Sequence, residues 1–208
     1  MDIPAAFFDA FMYPLETGGL AERRSRLLPG AEGVVLEVGA GTGVNLAYYP
    51  CEGLADLYVL DLTVSPRVYR RSDDGCLNPT ILEGDVQHLP FEDGFFDTVV
   101  FTLVFCSVGH PERGLAEVNR VLKPGGRIIF IEHVLPEGNP VLRGSLKAIT
   151  PVWKHVSGNC HLDRDTLSSI RGAGFSVDRL ERFANGIMVA GTGRKLESAQ
   201  TAGDSAAD

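Results

Sequence analysis

Three carboxylates and a run of glycines mark where this chain can do chemistry. Gly39, Gly41 and Gly43 alternate in Gly39-Ala40-Gly41-Thr42-Gly43, and Glu37 stands two residues ahead. Glycines at that spacing remove Cβ atoms where a ligand must approach the main chain. A helix opening there adds free N–H groups and a positive dipole end. Asp61 closes a second apolar run, Leu57-Tyr58-Val59-Leu60. A carboxylate in that place can accept both hydrogen bonds of a ribose diol. Gly84-Asp85-Val86 follows a third run, Thr80-Ile81-Leu82. Asp85 can accept from an adenine amino group while the Val86 N–H donates to a ring nitrogen. The glycines read G-x-G-x-G. A dinucleotide fingerprint needs G-x-G-x-x-G, and its sixth position is Val44 here. The charge of Glu37 suits a ligand with an ammonium and a cationic sulfur better than a pyrophosphate. The set therefore describes S-adenosylmethionine better than NAD. Singly, a tight turn, a solvated strand-end carboxylate and a helix N-cap explain each feature as well. Jointly, at the carboxyl ends of three successive parallel strands, those readings lose ground.

The elements needed to position these groups are legible in outline. Val34-Val35-Leu36-Glu37-Val38 is a short apolar run with no polar alternation, the mark of a strand buried on both faces. It predicts a first strand over 33–38, then a helix from the glycine loop to about Tyr49. Further strands are expected at 57–60, 80–82, 98–102 and 127–132. A short helix is expected within 64–71. A helix over 111–122 has Pro111 in its first turn, Leu115, Val118 and Leu122 on one face, and Pro124-Gly125-Gly126 after it. Residues 135–161 hold three prolines and read as irregular. A helix over 163–173 stops at Gly174. Two strands, 175–182 and 186–192, flank the turn Ala184-Asn185-Gly186 and imply an antiparallel edge. Ahead of all this, residues 5–28 read as one or two helices with Phe7, Phe8, Phe11 and Met12 on one face. Strand–helix alternation predicts a parallel sheet covered by helices on both faces.

Composition excludes several classes. The chain has 208 residues, 44% apolar and 22% charged, ordinary for one soluble domain. Its net charge of −8 argues against a nucleic-acid backbone as partner. No apolar run approaches the ~20 residues that cross a bilayer. The start Met1-Asp2-Ile3-Pro4 lacks a basic leader. None of Cys51, Cys76, Cys106 and Cys160 forms a Cys-x-x-Cys pair, so free thiols in a reducing cytoplasm are expected. His155, Cys160 and His161 match no standard metal spacing, and no metal is expected.

Leu36-Glu37-Val38-Gly39-Ala40-Gly41-Thr42-Gly43, Gly84-Asp85-Val86-Gln87-His88-Leu89-Pro90-Phe91, Phe96-Asp97-Thr98-Val99-Val100 and Val118-Asn119-Arg120-Val121-Leu122-Lys123-Pro124-Gly125-Gly126 resemble class I S-adenosylmethionine-dependent methyltransferases. The resemblance runs over about residues 30–192. More narrowly, the chain is similar to small methyltransferases grouped with quinone-biosynthesis enzymes. It is similar also to animal methyltransferase-like proteins that act on alkyl thiols, through Thr102-Leu103-Val104-Phe105-Cys106-Ser107-Val108, Ile131-Glu132-His133-Val134, and Pro151-Val152-Trp153 ahead of Gly158-Asn159-Cys160. Those animal proteins carry an apolar anchor before the domain. This sequence begins without one, and no integral membrane association is expected.

The resemblance implies an α/β, Rossmann-like three-layer sandwich with a seven-stranded, mostly parallel sheet whose last strand is antiparallel. Along the chain this places an N-terminal helical cap over 1–30, the cofactor domain over 31–192 with an acceptor-side cap at 135–161, and a small, polar tail over 193–208 that is expected to be disordered. Loop residues Gly39, Ala40, Gly41, Thr42 and Gly43, with Glu37 and Asn45, would face the methionine part of S-adenosylmethionine, beside Thr102 and Leu103. Asp61 would hold the ribose and Leu62 would lie against the adenine. Asp85 and Val86 would read the adenine edge, and Tyr13 would close over the carboxylate. The product would be S-adenosylhomocysteine.

His133, just past the fifth strand, is the best candidate for a proton acceptor. A histidine bonded structurally behind Glu132 is the alternative. Cys106 reads as a buried inert thiol, and Trp153 as packing that walls an apolar pocket. The fourth strand ends in Val104-Phe105-Cys106-Ser107. It therefore lacks the Asn/Asp-Pro-Pro-aromatic loop expected of enzymes that methylate nucleic-acid bases. The expected acceptor is small and fairly apolar, a thiol first and a quinol or other hydroxyl next, with a lipid head-group amine a further option. A non-catalytic cofactor-binding subunit and an NAD-dependent oxidoreductase are the competing classes.

Overall fold

The computed structural model describes residue 13 and residues 16–196. Expectations placed on 1–12, 14–15 and 197–208 lie outside the described residues. Seven strands form one sheet: β1 (Gly33–Val38), β2 (Leu54–Asp61), β3 (Thr80–Glu83), β4 (Phe96–Thr102), β5 (Leu122–His133), β6 (Phe175–Phe183) and β7 (Met188–Lys195), in spatial order β3-β2-β1-β4-β5-β7-β6. Strand β7 runs antiparallel to β5 and β6, and every other neighbouring pair is parallel. The helices are α1 (Ala21–Leu27), α2 (Pro66–Asp73), α3 (Pro111–Val121), α4 (Pro140–Val156) and α5 (Thr166–Gly172).

The apolar runs take the centre of the sheet because both faces there are covered. On one face Leu36, Val99, Phe101, Ile128 and Phe130 pack against Leu115 and Val118 of α3 and Ile170 of α5. On the other, Val35, Val59, Val100 and Ile129 meet Leu46 and Val68. Side chains on a strand alternate faces, so one run supplies both cores. Strand order reverses between β1 and β4. A crevice therefore opens at their carboxyl ends, where ligands of open α/β sheets bind.

Four expectations change. Residues 193–195, expected to begin the tail, instead close β7, where they pair with β6. The helix after the glycine loop is a single 3-10 segment, Val44–Tyr48, entered from Gly43 in the left-handed region and followed by Pro50. Residues 135–161 are not irregular: they hold α4, the longest helix described, at 17 residues. Asn139 caps it, accepting from the Leu142 N–H at 3.0 Å, and Pro140 sits at the first position. The Asn-Pro pair is thus a start signal rather than a breaker. Pro151 lies inside the helix, where it removes one N–H. Lastly, Cys51 and Cys76 are joined in a disulfide, while Cys106 and Cys160 are free. Cys51 precedes β2 and Cys76 precedes β3. Parallel pairing of these strands brings both starts to one edge, which cysteine spacing alone does not reveal. Among the described residues no helix is long and apolar enough to cross a membrane.

Candidate functional site

A cavity of about 810 Å³ opens at the carboxyl ends of β1, β2 and β4. The β1 loop turns tightly: the Gly43 N–H donates to the Ala40 carbonyl at 2.8 Å, and the Gly39 N–H donates to the Leu60 carbonyl at 2.7 Å. Gly39, Gly41 and Gly43 all have φ between 57° and 77°. Their reasons differ. A Cβ on Gly39 would lie 2.4 Å from Val104 Cγ2, so that glycine lets the β4 loop close on β1. A Cβ on Gly41 would meet nothing within 4 Å and would project into the cavity. Gly43 lies behind the cavity wall and lets α2 approach, its Cβ position being 3.1 Å from Val68 Cα.

Asp61, at the end of β2, accepts from the Gly41 N–H at 2.7 Å through one carboxylate oxygen and from the Thr63 N–H at 3.3 Å through the other. Each oxygen keeps a lone pair for a further donor. Leu62 beside it is 71% exposed, an apolar side chain without protein cover. Asp85 accepts from the Gln87 N–H at 2.9 Å and from the Gln87 side-chain amide at 2.9 and 3.1 Å. Both Asp85 and Val86 line the cavity.

Beneath the loop is a buried polar chain. Asn45 Nδ2 donates to Glu37 Oε1 at 3.0 Å and to Thr102 Oγ1 at 3.2 Å, and Asn45 Oδ1 accepts from Arg24 Nε at 2.7 Å. Arg24 pairs in turn with Glu16. Arg24 lines the cavity and is itself buried. No local signal separates it from its neighbours in Arg23-Arg24-Ser25-Arg26, and it escapes a sequence reading. Burial raises the Glu37 carboxyl to about 7, against the opposing pull of Tyr49, Asn45 and Arg24. Glu37 Oε2 has no hydrogen-bond partner among the described residues.

Thr102 and Leu103 begin the wall opposite. Leu103 sits at φ 58°, a conformation a branched side chain adopts only under constraint. The constraint is visible. The Leu103 N–H donates to the Ile131 carbonyl at 2.8 Å, and Glu132 Oε1 accepts from the Val104 and Phe105 N–H groups at 2.9 and 3.0 Å. Arg164 donates to the carbonyls of Phe105 and Val108, and Asn159 to that of Ser107. The turn 104–108 is therefore gripped from β5 and from the segment after α4. Burial raises Glu132 to about 7. The Cys106 thiol is pushed up by its hydrogen bond to Cys160 and by burial, which leaves it an inert wall group.

The structure gathers Tyr13, Gly39, Ala40, Gly41, Thr42, Asn45, Asp61, Leu62, Asp85, Val86, Thr102 and Leu103 on one cavity. Glu37 and Gly43 stand directly behind it. His133, the expected proton acceptor, does not line it. Its side chain is 6% exposed, burial lowers its pKa to about 4, and neither ring nitrogen has a hydrogen-bond partner among the described residues. His133 lies one step past Glu132, on the face of β5 that carries Ile131, whose cluster with Leu20, Met188 and Ala190 is buried. The donor set fits S-adenosylmethionine. Gly41 leaves bare backbone with open space before it, and Asp61 has lone pairs to spare. Among the described residues no group of His, Cys, Asp and Glu could hold a metal ion.

Comparison with known proteins agrees. A profile described as a methyltransferase domain matches residues 36–130. Thiol S-methyltransferase TMT1B of Rattus norvegicus is 36% identical over 72% of this chain and 63% of its own length. Demethylmenaquinone methyltransferase of Clavibacter sepedonicus is 34% identical over 77% of this chain and 73% of its own. The chain spans just under two thirds of the length of the thiol S-methyltransferases it matches. In three dimensions, a SAM-dependent methyltransferase from Aquifex aeolicus superposes with a TM-score of 0.62 at 17% identity, over 94% of this chain and 100% of that one. That likeness is one of fold.

Proposed function

The chain belongs to the S-adenosylmethionine-dependent methyltransferases, and from that premise we propose that it methylates a small, fairly apolar acceptor, a thiol sulfur first and a quinol or other hydroxyl oxygen next. One relative carries a name of the first kind, a thiol S-methyltransferase. The second is named for a quinone acceptor, and a further quinone relative is named as a C-methyltransferase, so the names support the thiol directly and the quinol only as a class of molecule. The observation that carries the order of preference is what the acceptor side lacks. We take Val104, Ser107, Val108, Gly158 and Asn159 as that wall; none is a carboxylate or a histidine, and of the cavity's carboxylates Glu16 is paired with Arg24 while Asp61 and Asp85 accept from backbone N–H groups. A site without its own base favours an acceptor that ionises by itself. A thiol with a pKa of about 8.5 does so near neutrality far more readily than a phenol at about 10.

S-adenosylmethionine supplies an already activated methyl group, so no covalent enzyme species is needed. The chain's residues hold and orient. Asp61 accepts from the ribose diol, Leu62 covers one face of the adenine, and Asp85 with the Val86 N–H reads its edge. Gly41 admits the methionine part against bare backbone, while Glu37, Asn45 and Arg24 hold fixed polar groups behind it. Leu103, Val104 and Val108 keep water from the transfer line. Ser107 and Asn159 are the polar groups near an incoming acceptor, and they orient it without taking its proton.

Transfer of labelled methyl from S-adenosylmethionine to alkyl thiols, catechols, quinols and amines tests this directly. A methylated thiol is expected, with a rate that rises with pH as the thiolate forms. His133→Ala is expected to keep the shape of that profile. Product from amines alone overturns the reading. Cofactor binding with no product from any acceptor transfers it to a non-catalytic binding subunit.

A further inference from the structure

Helix α4 (Pro140–Val156) is unlike the rest of the molecule. Of its side chains described, only that of Thr150 is buried. Amphipathic helices normally turn their apolar stripe inward and their charges outward. Here Val141 is 78% exposed, Val152 71% and Ile149 50%. Val141, Ser145, Ala148 and Val152 fall on one face by helical spacing, all exposed, and Ile149 widens the stripe. No charged residue lies within it. Partly exposed Leu142, Leu146 and Trp153 continue the apolar arc toward the protein body.

The charge pattern is equally local. Residues 138–162 contain no Asp or Glu, the longest acid-free stretch in a chain that carries 27 acidic residues. The same stretch carries Arg143, Lys147 and Lys154. Lys147 is exposed about 100° round the helix from Ala148, on the flank between the apolar face and the protein body. Lys154 is partly exposed, and Arg143 donates to the Pro136 carbonyl at 2.9 Å. A cationic, apolar-faced helix on an otherwise acidic molecule needs an occupant that is both apolar and anionic. A second copy of the chain answers only half of this, because two such helices face to face would oppose cations with no carboxylate between them. A bilayer containing anionic lipid answers both: its acyl boundary takes the valines and isoleucine, and its phosphates take the cations. The helix is too short to span the bilayer, so it would lie in the plane of the surface.

We propose that the outer face of α4, centred on Val141, Ala148, Ile149 and Val152, is a docking surface for an anionic lipid bilayer, with exposed Lys147 on the polar side of the same helix to meet its phosphates. The helix ends next to Gly158 and Asn159, which line the cavity. The Asn159 N–H donates to the Lys154 carbonyl at 2.8 Å, and its side chain donates to the Ser107 carbonyl. A bilayer held on α4 therefore lies beside the cavity mouth, where an apolar acceptor dissolved in lipid would enter without crossing bulk water. The docking itself does not depend on what the cavity does, and its test needs no turnover.

The experiment is flotation of the full chain with phosphatidylcholine vesicles, with and without phosphatidylserine, together with sedimentation velocity in the absence of lipid. Binding to the anionic vesicles is expected, weak binding to the neutral ones, and release by salt as surface charge is screened. The double variant Val141→Asp/Val152→Asp changes only exposed positions, and circular dichroism checks that it folds. It is expected to lose vesicle binding. Lys147→Glu is expected to weaken binding by about fivefold or more, on the scale of one cation at an anionic surface. No binding to anionic vesicles, or a double variant that binds like the wild type, overturns the proposal. A lipid-free dimer that the double variant dissolves also overturns it, and assigns the face to a second copy.

Discussion

The residues that could do chemistry divide into those that touch the cavity and those that hold them there. Asp61 does both, since it already bonds the Gly41 amide of the loop it would share with a ribose. Asp61→Ala is expected to weaken S-adenosylhomocysteine binding by tenfold or more, the scale of a charge-assisted hydrogen bond at ~1.5–3 kcal/mol. Gly41→Ala separates binding from folding. Its Cβ meets nothing in the protein, so the fold accepts it at roughly 1–2 kcal/mol for the left-handed backbone, yet the methyl occupies the ligand's path. Calorimetric titration of both folded variants checks this, and unchanged affinity in either removes that residue from the site. These residues were legible in the sequence because each acts through its own backbone or strand end. Arg24 was not legible, because what distinguishes it from Arg23 and Arg26 is only which one reaches Asn45.

The element that positions the acceptor wall is the end of β5. Glu132 and His133 are adjacent, buried and on opposite faces of the sheet, and burial moves them in opposite directions. Glu132 and Glu37 are each raised from 4.5 to about 7. The native state therefore keeps protons that the unfolded chain has released. Their contribution is fully present below about 4.5 and is lost as pH rises through about 7. His133 is lowered from 6.5 to about 4, so its contribution is present above 6.5 and fades as pH falls toward about 4. His161 is lowered as well, first by burial, and acts with His133, but it is only partly buried; the two fully buried carboxyls outweigh the pair, and the melting temperature is expected to fall between about pH 4.5 and about pH 7. Glu132→Gln should flatten that fall in a pH series of melting curves, while a slope identical to the wild type would place the Glu132 titration elsewhere. The sequence marked Glu132-His133 as a place for chemistry. Only the pairing of β5 with β4 and β7 shows that one side chain grips the wall and the other turns away from it.

At the scale of the whole molecule, the Cys51–Cys76 disulfide closes a loop with a sequence separation of 25 and ties the starts of β2 and β3. Loop-closure entropy assigns such a bond ~3 kcal/mol, equivalent to about 6–12 °C of melting temperature for a chain of this size. Thermal melts with and without dithiothreitol, beside a Cys51→Ser variant, are expected to show that difference. A reductant-insensitive melt would mean that the thiols stay free in solution, as in a reducing cytoplasm. By itself the sequence determined the alternating sheet, the strand ends that line the cavity, the antiparallel edge and the family. Those features are written in short windows, as apolar runs of strand length, glycines at fixed offsets and a carboxylate at a strand end. The tertiary structure alone decided the disulfide, the Arg24–Asn45–Glu37 chain, the exclusion of His133 from the cavity and the outward apolar face of α4. Each of these depends on which distant segments meet. Local propensity carries no information about that until the sheet order brings the strand ends to one edge.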